Sequence, residues 1–141
     1  MFKITKNYHF YAGHRNEKLN DKCFNLHGHT YYVTMTFNLP YDPYSGVTML
    51  FSDIDKLVKP IINELDHGLL INTYDPLCKY LHLFMSEEDT ELKLVKFDNS
   101  TSAENLARWI FKRVKELLPI EKITLQETTS SIVDYEEQDT D

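Results

Sequence analysis

The 141 residues are 42% hydrophobic and 26% charged, the balance of a single globular domain, and no apolar run nears the roughly 18 residues of a membrane span. A formal net charge of -7 argues against nucleic acid as a partner, because such binding rests on Lys and Arg neutralising phosphates. Met1 to Lys6 is too polar for a signal peptide and two cysteines are too few for a disulfide framework, so a reducing, cytoplasmic setting is expected.

In chain order, Phe2, Ile4, Tyr8, Phe10 and Ala12 share one parity of an extended segment, with Lys6 the exception, and His14 continues that parity. This predicts a first strand. The polar run 16–22 predicts a loop that delivers Cys23. His27 and His29 then share a parity with Tyr31, Val33, Met35, Phe37 and Leu39, the apolar face of a second strand. Two imidazoles on one face are half of a zinc site. A catalytic zinc takes about three protein ligands and keeps an open position, and His14 offers the third. The same pattern also suits strand histidines that bind nothing, and spacing alone does not separate the two readings.

Pro40 to Gly46 reads as a turn and Val47 to Phe51 as a short strand. Ser52 followed by Asp55 resembles a capping box opening a helix with Ile54, Leu57, Val58, Ile61, Ile62 and Leu65 on its apolar side. Pro60 predicts a bend there or a junction of two short helices. Asp53 and Asp55 read as first-turn carboxylates without chemistry. Asp66 and His67 close the helix, His67 being either a dipole partner or a proton-transfer group polarised by a carboxylate.

Asp75 and Pro76 predict the start of a short helix. Cys78 and His82 share a face of it at ligand spacing, but Leu77, Tyr80, Leu81 and Phe84 favour a packing helix. A turn over 86–90 and a strand over 92–97 follow. Thr101 and Glu104 form a second capping box before a helix carrying Leu106, Trp109, Ile110, Val114, Leu117 and Leu118, which Pro119 ends. In the strand Ile120 to Thr128, Glu127 falls on the parity of Ile123 and Leu125, so its carboxylate either meets a partner with paired N–H donors or reaches solvent at the strand end. A last strand is expected over 131–135, closing a single domain of residues 1–135, with 136–141 an acidic, disordered tail.

Phe10-Tyr-Ala-Gly-His14, Cys23-x3-His27-Gly-His29, Gly46-Val-Thr-Met-Leu-Phe51, Leu65-Asp66-His67, Ser100-Thr-Ser-Ala-Glu-Asn-Leu-Ala107 and Glu127-Thr128 together resemble the 6-pyruvoyltetrahydropterin and 6-carboxytetrahydropterin synthase family, in order and over nearly the whole chain. The resemblance implies an α+β tunnelling fold, an antiparallel β-sheet with two main helices on one face. It further implies homotrimers or homohexamers with active sites at subunit interfaces. It assigns His14, His27 and His29 as zinc ligands, Cys23 as the catalytic base, Asp66 and His67 as a proton relay, and Glu127 with the Thr101 region as the pterin anchor. The gap of three residues between Cys23 and His27 resembles the bacterial carboxy branch of queuosine biosynthesis, whose substrate is a pterin triphosphate. Leu50, Ser100 and the long 73–99 segment depart from the usual family pattern.

Overall fold

A computed structural model describes residues 1–137. Its strands are β1 (Phe2–His14), β2 (His27–Leu39), β3 (Gly68–Asn72), β4 (Leu94–Phe97), β5 (Ile120–Thr128) and β6 (Ser131–Glu136). The helices are α1 (Phe51–Leu65), α2 (Pro76–Glu87) and α3 (Ala103–Lys115). All six strands form one sheet in the order β4-β3-β1-β2-β5-β6. β1, β2, β5 and β6 pair antiparallel, as expected, while β3 and β4 extend the sheet in parallel from the end of β1.

The period-2 pattern builds the core. Phe10, Tyr31, Val33, Phe37, Ile123 and Leu125 project from one face and are fully buried with Ile54, Val58 and Leu65 of α1 and Leu106, Ile110 and Val114 of α3. Burying this apolar surface is the main drive for folding. α2 stands aside and buries only Cys78. Among the described residues, no helix is long and apolar enough to cross a membrane.

The element starts depart from the sequence reading where tertiary contacts outbid local signals. The strand expected at Val47 to Phe51 shrinks to one bridge between Asp42 and Val47, and α1 begins at Phe51 behind Leu50, which makes no side-chain cap. Asp55 is drawn elsewhere: it accepts the Tyr8 hydroxyl at 2.7 Å and pairs with Lys6 at 3.0 Å. This explains why Lys6 interrupts an apolar face. α1 runs unbroken through Pro60, which is exposed, so the carbonyl it leaves without a donor lies where water reaches it. α3 is capped by Ser102, one residue later than expected, and α2 by Asp75 as expected. β4 begins at Leu94. Residues 138–141, most of the expected acidic tail, lie outside the described residues.

Candidate metal and catalytic site

The β1–β2 register sets His14 opposite His27 and Ala12 opposite His29, so three imidazoles gather at one corner of the sheet with ring centres 4.6 to 5.2 Å apart. Glu127 joins them from β5, at an irregularity between Gln126 and Thr128 where the β5–β6 register shifts. Such bulges re-aim a side chain. The ligating atoms of His14, His27, His29 and Glu127 all lie within 4.8 Å of one another. Glu127 Oε1 is 2.7 Å from His29 Nε2 and 3.8 Å from His14 Nε2.

The surroundings select the tautomers. His14 Nδ1–H donates to the Thr101 carbonyl at 2.8 Å, and His27 Nδ1–H to the Asn25 carbonyl at 2.7 Å. A carbonyl only accepts, so both rings present a bare Nε2 to the cluster. His14 Nε2 and His29 Nε2 are buried without an aligned hydrogen-bond partner. Leaving a buried polar atom unsatisfied costs about 1–3 kcal/mol, and a cation would remove that penalty at both nitrogens. Burial is the largest cause holding the His14 and His29 pKa below the ordinary imidazole value, which favours the neutral, ligating form. Three imidazole nitrogens are a donor set that suits Zn²⁺ with its fourth position left open.

Around this cluster lie Tyr31, which sequence patterning placed only on the apolar face of a strand, and Thr101, which the family resemblance set beside Glu127. Tyr31, fully buried, has its ring 5.4 Å from that of His29 and a hydroxyl without a partner. Thr101 is also fully buried: its carbonyl orients His14, and its hydroxyl donates to the Arg15 carbonyl at 3.2 Å. Because Ser102 takes the cap, Thr101 is free to turn inward.

Cys23 rides on a short helical turn, Lys22–Phe24, whose amide contact is Cys23 N–H to Asp21 at 2.8 Å. The thiol stays outside the four-residue cluster. Partial burial, then the charge and hydrogen bond of Asp21, push it upward, an effect that a cation at the neighbouring cluster would oppose.

Asp66 and His67 form the expected pair, with Oδ2 and Nδ1 2.9 Å apart. The Tyr11 amide donates to Asp66 Oδ1 at 2.9 Å and is the first cause holding this carboxyl below its usual range; the contact to His67 follows. His67 takes a left-handed φ of 61°, fixed by its N–H to the Tyr11 carbonyl at 2.6 Å. Lys93 secures the turn by donating to the Asn63 and Asp66 carbonyls. The His67 ring packs edge-on against Tyr11, whose parity is opposite to that of Ala12 and His14. Hence, within one chain, the Asp66–His67 pair stands on the sheet face away from the three histidines. Cys78 and His82 belong to no group of three or more ligating residues among those described.

The sequence matches the family described as 6-pyruvoyl tetrahydropterin synthase over residues 3–138. It is 32% identical to the 6-carboxy-5,6,7,8-tetrahydropterin synthase of Haemophilus influenzae, spanning 97% of this chain and 100% of that one. Its identity to the enzyme of the same name from Aquifex aeolicus is 28%, over 97% and 99% of the two chains. The fold resembles the structure of Caenorhabditis elegans 6-pyruvoyl tetrahydropterin synthase, with a TM-score of 0.69 at 24% identity, over 97% of this chain and 96% of that one.

Proposed function

Since the chain belongs to the 6-pyruvoyl tetrahydropterin synthase family, we propose that it is a zinc-dependent carbon–carbon lyase converting 7,8-dihydroneopterin triphosphate to 6-carboxy-5,6,7,8-tetrahydropterin, with release of acetaldehyde and triphosphate, in queuosine biosynthesis. The observation that carries the reading is the cluster of His14, His27, His29 and Glu127, with Nε2 bare on His14 and His27 and the His29 Nε2 2.7 Å from the Glu127 carboxylate. The carboxy branch is favoured over the pyruvoyl branch by the similarity to two 6-carboxytetrahydropterin synthases and by the short Cys23-to-His27 gap.

His14, His27 and His29 would hold the metal, which when bound supplies Lewis-acid polarisation of the substrate's side-chain hydroxyls. Glu127, beside the Thr101 segment, anchors the pterin by its amino and ring N–H groups, as a carboxylate facing paired donors can. Cys23 takes a side-chain proton as thiolate. His67, oriented by Asp66, relays the second proton; general acid–base work of this kind contributes about 10²- to 10⁴-fold. Because that pair faces away from the cluster of its own chain, it serves the site of a neighbouring copy, which makes a homotrimer or homohexamer the working form.

Mixing two inactive variants tests the shared site. Cys23→Ala and His67→Ala should each be nearly inert alone, and co-refolding them should restore a measurable fraction of turnover by assembling sites from two copies. Failure to recover any turnover from well-folded mixed oligomers would refute the two-copy arrangement.

A further inference from the structure

Residues 73–99 carry no group used in the chemistry above, yet this segment reaches into the loop that bears Cys23. We propose that the ion pair of Arg15 with the buried carboxylate of Asp75 positions that loop and thereby aims the thiol, an inference that rests on the role given to Cys23 in the proposed function.

Asp75, at the N-terminus of α2, has a side chain only 1% exposed. Its Oδ2 accepts from Arg15 Nε at 2.7 Å and its Oδ1 from Arg15 Nη2 at 2.6 Å, a two-point contact that fixes the plane of the guanidinium. The guanidinium lies over the ring of Phe24, 4.7 Å from its centre. Phe24 is the residue next to Cys23. The backbone on either side is tied as well: the Arg15 carbonyl accepts the Thr101 hydroxyl, and Asn16 N–H donates to the Cys23 carbonyl at 2.8 Å. A second tether runs from Asn72, 2% exposed, to Glu17 Oε1 at 2.7 Å. The loop 15–24 is therefore pinned to the β3–α2 junction at Asn72 and Asp75.

A polar loop of this length would otherwise sample many conformations. Proton abstraction depends on placement, and a shift of about 1 Å can lower a rate by about 10²-fold. Arg15 suits the task better than lysine, since a planar fork can pair with a carboxylate and stack on an aromatic ring together. With Nε and Nη2 engaged by Asp75, Arg15 acts on the loop rather than on an anionic substrate. It is a positioning residue.

The test compares zinc-loaded wild type with Asp75→Asn and Arg15→Gln. Asparagine keeps the helix cap that Asp75 gives to the Leu77 amide, so α2 is retained while the charge is lost. Three quantities are read: amide hydrogen exchange over residues 16–25, kcat and KM for the pterin triphosphate, and the alkylation rate of Cys23 relative to buried Cys78. Both variants should show exchange over 16–25 faster by about tenfold or more, an altered Cys23 alkylation rate, kcat lower by about 10- to 100-fold and KM within about twofold. The double variant should be no worse than the poorer single one, the non-additivity expected of partners.

Unchanged exchange over 16–25 in both variants would overturn the proposal, as would faster exchange with wild-type kcat. So would a raised KM with kcat retained in Arg15→Gln, the mark of an anion ligand. If neither variant folds, Arg15→Lys keeps the charge without the two-point contact, and wild-type exchange and kcat in it would likewise overturn the proposal. Should the wild type turn over no pterin, the proposed function fails, while the exchange and alkylation readings still decide whether the pair holds the loop.

Discussion

Acidifying the metal-free protein should destabilise it mainly through His14 and His29. Burial holds both below the ordinary imidazole pKa of about 6.5, so as pH falls the unfolded chain takes up protons that the folded chain refuses. Stability is therefore full above about pH 6.5 and is lost as pH falls toward the depressed folded values. Each histidine contributes a slope of at most about 1.4 kcal/mol per pH unit, and the two together about 2.7. Asp55, Asp66 and Asp75 are held below the usual carboxylate range by their partners and titrate further down, which leaves the window between about pH 7.5 and 5.5 to the histidines. Urea unfolding with a chelator present should show a loss on the order of 1–3 kcal/mol across that window. In the His14→Gln/His29→Gln double variant the slope should flatten. Zinc should raise the midpoint more at the upper end of the window than at the lower, since ligation requires the neutral rings. A midpoint independent of pH, or the same slope in the double variant, would refute this reasoning.

Cys23→Ala should retain zinc and the oligomer while turnover falls by about 10²- to 10⁴-fold; loss of metal with the thiol, read by elemental analysis, would instead make Cys23 a ligand. Glu127→Gln should keep one zinc per chain and weaken pterin binding in a fluorescence titration, whereas zinc loss would make Glu127 a fourth ligand rather than the pterin anchor.

Much of the site follows from parity. The run from Phe2 to His14 and the run from His27 to Leu39 place three histidines at the ends of apolar faces, and antiparallel pairing is enough to bring those ends together. Parity also marked Glu127 as a carboxylate on an apolar face needing a partner. Capping signals were less decisive. Ser52 and Asp55 have the spacing of a box, yet Asp55 is claimed by Lys6 and Tyr8 from another element. Thr101 and Glu104 also have the spacing of a box, yet Thr101 is buried behind His14 and Ser102 caps the helix instead. The Arg15–Asp75 pair joins residues 60 positions apart and leaves no periodic trace. Nor does any local pattern reveal that Asp66 and His67 face away from the cluster, because relative facing depends on how β3 docks in parallel beside β1.

Product identity tests the central claim most directly. Zinc-loaded protein incubated with 7,8-dihydroneopterin triphosphate should yield acetaldehyde and 6-carboxy-5,6,7,8-tetrahydropterin in equal amounts by chromatography and mass spectrometry. Formation of 6-pyruvoyltetrahydropterin without acetaldehyde, or pterin binding with no turnover at all, would contradict it.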